Sequence, residues 1–295
     1  MLYRRKILLS LLELFGNNIS KLEAHKYLFL FSNLNKNILY EFIPHKYGCY
    51  SYTLASDIRA LEKQALVALH DDKIYKTCSQ EFLECIDIED AKNLGDVFRQ
   101  ASAFGNFENM MRHVYTTAPF YAINSIVKEK YLNKNEIEFV YTMRPVISTT
   151  SLATIGYEGI SIESYINKLI KNDIRCLVDV RRNPHSMKFG FSGSRLKSIC
   201  EETGIAYVSI RELGIDADKR KKLETQEDYE NLFRNYTHEI LEHTDAAQKR
   251  VLELLENYGR IALTCFEKDI NSCHRKVLSE YLQKKYKPVG HIDHL

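Results

Sequence analysis

"RIALTCFEKDINSCHRKVLSEYL", Arg260–Leu282, contains the whole grammar of the second half of the chain. "RIALT" is a short apolar run with no polar alternation, the signature of a strand buried on both faces. A polar segment with two cysteines, a histidine, an arginine and two acids follows. "KVLSEYL" then resumes at helical spacing. Upstream the pattern repeats: "LATIG" (152–156) is followed by the helical "SIESYINKLIKN", "IRCLVDV" (174–180) by "SRLKSICEETG", and "IAYVSI" (205–210) by a long polar helical region from about Glu227 to Asn257. Strands of this kind separated by helices predict a three-layer, Rossmann-like α/β domain around a mainly parallel sheet. In such sheets ligands bind beyond the carboxyl ends of the strands.

Those ends are where the polar residues gather. The first strand ends in "GYEG", where Gly156 and Gly159 permit a tight turn around Tyr157 and Glu158. The second ends in "DVRRNPHS", supplying Asp179, Arg181, Arg182, His185 and Ser186 around Pro184. The fourth ends in "CFEKD" and passes to Cys273, His274 and Arg275 at the start of a helix. A helix N-terminus with nearby arginines suits a phosphate or carboxylate, which makes Arg181, Arg182, His274 and Arg275 candidate anion ligands. A structural ion pair between Asp179 and Arg181 or Arg275 is the competing reading. Glu158, Asp179 and Glu267 form a set of carboxylates from three loops, suited to general acid/base or nucleophilic work at an O- or N-glycosidic bond. Glu158 and Glu267 read equally well as solvated loop acids; Asp179, after a strongly apolar strand, does not.

A zinc site draws four ligands, commonly as closely spaced pairs. Cys265 and Cys273 are far apart in sequence, and adjacent Cys273 and His274 are expected to point apart, so no metal is expected here, nor any other cofactor. A nucleophilic Cys273, activated by the helix end and Arg275, is a third chemistry. Cys265 within its strand reads as core.

The first half differs. "RRKILLSLLELFG" and "KLEAHKYLFLFSNL" are helical. "ILYEFIPHKYGCYSY" is aromatic and extended, "TLASDIRALEKQALV" is helical again, and "ALHDDKIYKTC" offers two extended pieces around a turn. That order predicts a mostly helical, winged-helix-like domain over 1–145. Helical pattern resumes from about Ala91 to Lys130, and "FVYTMRPVISTTS" reads as a connector to an α/β domain over 151–295. A recognition helix in "TLASDIRALEKQALV" would have only Arg59 and Lys63 for phosphates, opposed by Asp57 and Glu62, so a protein partner suits this domain better than DNA.

The 295 residues carry 41 Lys and Arg against 39 Asp and Glu, a balance that gives no overall basic field and leaves nucleic acid to a local patch. No apolar run reaches the roughly 20 residues of a bilayer span. Seven cysteines without framework spacing fit reduced thiols, and a cytoplasmic protein is expected. Lys219–Lys222 reads as part of a solvated charged helix.

Two resemblances sharpen these expectations. "TIGYEG", "LVDVRRNPHSMKFGFS", "IAYVSIRELG" and "LTCFEKDINSCHR" resemble, in order, the bacterial family catalogued as domain of unknown function 488. The resemblance picks out Gly156, Asp179, Arg181, Pro184, Ser186, Leu213, Gly214, Cys265, Glu267, Cys273, His274 and Arg275. The family commonly has "LGG" where this chain reads "LGI", placing Ile215 at a departure. "FIPHKYGCYSYTLASDIRALEKQALV" with "VYTTAPFYAINS" is similar to the Panacea or SocA-like group of antitoxins and adaptors, which implies an interaction domain. Neither resemblance supplies a reaction; the first implies a nucleotide or nucleic-acid substrate. With the carboxylates of the three loops, the expectation is an enzyme acting there by hydrolysis or transfer at a glycosidic bond, with an adaptor that senses a small anion as the alternative.

Overall fold

The computed structural model describes residues 1–220, 223–286 and 289–295. The chain divides into two compact units, Met1–Arg144 and Pro145–Leu295.

The first unit runs α1 (Tyr3–Leu14), β1 (Asn18–Ser20), α2 (Lys21–Leu34), β2 (Ile43–His45), β3 (Gly48–Tyr50), α3 (Tyr52–Lys63), β4 (Val67–His70), β5 (Lys73–Lys76), α4 (Ile88–Phe104), α5 (Phe107–Thr117), α6 (Lys128–Tyr131) and α7 (Lys134–Thr142). β4 and β5 pair antiparallel from Val67↔Lys76 to His70↔Lys73, closed by Asp71 and Asp72. Asp71 takes a positive φ of 54°, the conformation such a two-residue turn demands. β1 adds to β5, giving a three-stranded sheet in the order β1-β5-β4. Helix α2 opens with a capping box in which Ser20 and Glu23 satisfy each other's backbone N–H groups. Farther along α2, Lys26 is fully buried, and its ammonium donates to the carbonyls of Tyr47 (2.6 Å) and Cys49 (3.0 Å). The tail of the expected connector carries no helix or strand before Ser151 opens the next unit's first strand, but "FVYT" belongs to α7, which Asn133 and Glu136 start with a second capping box.

The second unit runs β6 (Ser151–Gly156), α8 (Ile162–Lys171), β7 (Cys176–Asp179), α9 (Gly193–Glu202), β8 (Ala206–Ser209), α10 (Gln226–Glu239), α11 (Asp245–Tyr258), β9 (Arg260–Cys265), α12 (His274–Lys285) and β10 (Ile292–His294). All five strands pair parallel, in the order β10-β6-β9-β7-β8. The chain is therefore mixed α/β, helical in its first part, with a parallel sheet in its second. β10 extends the four strands legible as apolar runs. It is short and polar, joined to β6 through Asp293 to Ser151 and His294 to Thr154. The polar region after β8 is two helices, not one, broken by a 3-10 turn at Leu241–His243. Of the charged run at its start, Lys221 and Lys222 lie outside the described residues.

Period-2 alternation sorts the sheet into two faces. Leu152, Cys176, Val178, Ile261 and Leu263 join residues of α10, α11 and α12 in one apolar cluster. Each such fully buried aliphatic chain is worth about 1.5–3 kcal/mol of transfer free energy. On the opposite face Ala262, Thr264 and Asp179 lie toward α8, whose Tyr165 hydroxyl donates to Thr264 Oγ1 at 2.7 Å. β9, last of the apolar runs in sequence, thus sits at the centre between β6 and β7. The loops after those three strands must share one end of the sheet.

Candidate active site

Three loops meet at the carboxyl ends of β6, β7 and β9, and backbone contacts weld the first to the last. The Tyr157 and Glu158 amides both donate to the Phe266 carbonyl, at 3.1 and 2.9 Å. The Glu158 carboxylate accepts from the Lys268 amide at 3.0 Å. Gly156 is required by this approach: a Cβ there would lie 1.9 Å from the Glu267 carbonyl oxygen. Gly214 serves the loop after β8 in the same way, since its Cβ would lie 2.1 Å from the Arg182 amide nitrogen.

Arg275, expected to face a phosphate, is 2% exposed. Its guanidinium donates to the Glu267 carbonyl (2.5 Å) and the Lys268 carbonyl (3.2 Å), so its charge supports the loop after β9 from within. Asp179 and Arg181 form the competing ion pair. Arg181 Nε donates to Asp179 Oδ1 at 2.8 Å and its Nη2 to Oδ2 at 2.5 Å, while Nη1 donates to the Tyr157 hydroxyl and the Phe191 carbonyl. Tyr207 adds a hydroxyl donor to Asp179 Oδ2 at 2.6 Å. Burial, and next the Asp179 charge, hold the Tyr207 phenol well above its ordinary value, so it stays a donor. Asp179 is fully buried and carries four donors in all, counting the Arg181 amide. A carboxylate so engaged has little left for a substrate. The geometry thus places Asp179, Arg181, Tyr157 and Arg275 in the supporting framework.

Against that framework, with Tyr157 and Arg181 in its wall, opens a cleft of about 310 Å³ lined also by Arg182, Asn183, His185, Ser186, Met187, Ile215, Cys265 and Phe266. Arg182 is half exposed and pairs with the exposed carboxylate of Asp216, at 3.3 Å. Such surface pairs contribute 0–1 kcal/mol and yield readily to a better anion. His185 is exposed and Ser186 half-buried, its hydroxyl accepting from the Lys188 amide. Phe266 (43% exposed) and Met187 (95% exposed) bring large apolar groups to solvent at the same cleft. Ile215, where the sequence departs from the "LGG" pattern, forms part of its wall.

Cys265, Cys273 and His274 meet behind the floor. The sequence suggested that Cys273 and His274 diverge; they converge instead. Cys273 is the N-cap residue of α12 with extended φ and ψ of −128° and 135°, His274 is the first helical residue, and this change of backbone turns both side chains toward Cys265. The ligand atoms of the three residues lie within 4.8 Å of one another. His274 Nδ1 is 3.6 Å from Cys265 Sγ and 3.9 Å from Cys273 Sγ. Cys265 Sγ also reaches Glu267 Oε2 at 3.2 Å. The expected activation of Cys273 is corrected as well. Burial first, and then neighbouring Cys265, hold its thiol well above the ordinary value, outweighing Arg275.

Glu267 is therefore the sequence-selected acid best placed beside the cleft floor, with Glu158 exposed on the neighbouring loop. Tyr207, Asn183, Met187 and Phe266 were not singled out in the sequence. A tyrosine within an apolar strand, two positions from the strand end and so on the same face as Asp179, was the signal for the first.

Among the described residues no helix is long and apolar enough to cross a membrane. No curated protein matches the chain. Residues 161–282, from the N-cap of α8 to near the end of α12, match the family model described as Domain of unknown function DUF488, and in that stretch the second unit is similar to that family.

Proposed function

We propose that the second unit is an enzyme acting on a nucleotide or on a nucleic-acid base held outside the stack, by hydrolysis or transfer at a glycosidic bond. One observation carries the reading: a cleft at the strand ends presents an exposed cation, Arg182, together with exposed apolar surfaces on Phe266 and Met187. A base gains roughly 1–3 kcal/mol by stacking on an aromatic ring, and a phosphate is matched by a guanidinium fork. In this reading Phe266 and Met187 take the base, Arg182 and His185 take the phosphate, and Glu267 acts as general acid/base. Asp179 serves as the anchor of Arg181, not as a reacting group.

For the first unit we infer a winged-helix-like interaction domain. Supporting it are the order α1-β1-α2-α3-β4-β5, apart from the small β2-β3 hairpin, and the β1-β5-β4 sheet. A largely apolar cleft of about 580 Å³ beside His25, His45, Tyr50 and Arg59 favours a protein segment over DNA as its partner.

The test begins with thermal shifts of the intact protein against nucleotides, nucleosides, sugar phosphates and short single-stranded and duplex DNA. A ligand that stabilises the parent but not Arg182→Ala places the anion at this cleft. That ligand is then incubated with parent and Glu267→Gln, and free base is followed by chromatography. Base release by the parent, lost in Glu267→Gln while its thermal shift persists, supports the assignment. Equal release by Glu267→Gln, or no shift with any ligand, removes it.

A further inference from the structure

We propose that the second unit binds one zinc ion through Cys265 Sγ, Cys273 Sγ and His274 Nδ1, with water in the fourth position beside Glu267. Zinc–ligand lengths of about 2.3 Å to sulfur and 2.0–2.1 Å to nitrogen imply a sulfur–nitrogen edge of roughly 3.5 Å in a tetrahedral site. The two edges here are 3.6 and 3.9 Å, so the ligands already stand close to the spacing an ion requires. Little rearrangement is needed to admit it.

The histidine is set for the role. Its Nε2 lies 3.2 Å from the Val180 carbonyl, which can only accept, so Nε2 carries the proton and Nδ1 turns a lone pair toward both sulfurs. A carbonyl partner of this kind fixes the tautomer and aim of metal-bound histidines. The three residues are at most 2% exposed, and they come from the end of the central strand and the start of α12. The connecting loop is held by Arg275 and by the Tyr157 and Glu158 amides, which preorganises the pair of elements.

Two thiolates and an imidazole select zinc over magnesium or calcium, which prefer oxygen. Each thiol passes its proton to solvent as its sulfur–zinc bond forms, so affinity rises with pH. Three protein ligands and an open fourth position are the catalytic pattern of zinc sites. Cys265 lines the cleft, and the Glu267 carboxylate lies 3.2 Å from its sulfur. The use of that water rests on the reaction proposed above; the binding of zinc does not.

The deciding experiment uses the intact protein. Its metal content is measured by elemental mass spectrometry, and cysteine alkylation is mapped by peptide mass spectrometry before chelation, after chelation, and after zinc alone is restored. One zinc per chain is expected, with Cys265 and Cys273 protected by zinc and exposed by chelation. Cys78 and Cys85, partly or fully exposed in the first unit, should react equally throughout. Cys265→Ser and Cys273→Ser are expected to lose zinc, and Glu267→Gln to keep it. The alkylation map of the parent gives an answer even where a serine variant fails to fold. A chelated parent that takes up no zinc, or thiols alkylated equally with and without it, overturns the site. Loss of zinc in Glu267→Gln overturns water as the fourth ligand. If zinc binds and no base is released, the site stands and the reaction falls.

Discussion

Neighbouring strands β7 and β9 end within one cluster of loops, yet their ends are built on opposite principles. At the end of β7, Asp179 and Arg181 are buried and saturate each other with the help of Tyr157, Tyr207 and Phe191. At the end of β9, two thiols and an imidazole are equally buried, and the contacts between them are long sulfur contacts of 3.6 and 3.9 Å, beside those of Cys265 to Glu267 and of His274 to the Val180 carbonyl. A buried charge is tolerated where every donor finds an acceptor. Contacts to sulfur are weaker than charge-assisted hydrogen bonds and give way to something stronger. Burial is thus shared by two ends of different character, one held by charge-assisted bonds and the other by sulfur contacts.

The largest expected effect tests the framework side. Asp179→Ala leaves the Arg181 charge buried without its partner and should cost about 3–5 kcal/mol, read as a drop in denaturant midpoint. A variant as stable as the parent but without base release would make Asp179 the reacting carboxylate and dissolve the contrast. Tyr207→Phe removes one hydroxyl donor to a charged acceptor and should cost about 1.5–3 kcal/mol by the same measurement. Gly156→Ala drives a methyl into the Glu267 carbonyl and should cost about 1–3 kcal/mol as the β9 loop is displaced. Because that loop carries Glu267 and Phe266, its ligand-induced thermal shift should shrink too. The smallest stability effect belongs to Arg182→Ala, within about 0.5 kcal/mol of the parent, because its ion pair with Asp216 is exposed. Its loss should appear in ligand binding instead. A large destabilisation there would move Arg182 into the framework.

The parallel sheet was legible because β6, β7 and β9 carry short apolar runs without polar alternation, and such runs are typical of strands buried on both faces. β10 was not, because "IDH" carries no hydrophobic pattern and is held by side-chain bonds from Asp293 and His294. The gathering of polar groups at the strand ends followed from topology. Their division of labour did not: Asp179 ends a strand, Arg181 lies in the loop after it and Arg275 in the first turn of α12, and only the directions of their side chains show that they face one another and the backbone. Cys273 and His274 were misjudged for a local reason, since adjacent side chains diverge in a strand but not across a helix N-cap. Phe266 escaped notice because an aromatic residue after an apolar strand reads as more core until its exposure is seen.

Lys26 offers a use that follows from its burial. Its amine is enclosed by carbonyls, and desolvation lowers its pKa from the ordinary lysine value. Although Lys26 lines the cleft of the first unit, its amine has no exposed surface, so an amine-acylating reagent reaches it through a local opening around that amine. The acylation rate of this one lysine, set against exposed lysines in the same digest, therefore counts openings of the first unit under native conditions. The chain carries its own internal clock for the breathing of that domain, readable without a label and without tryptophan, of which it has none.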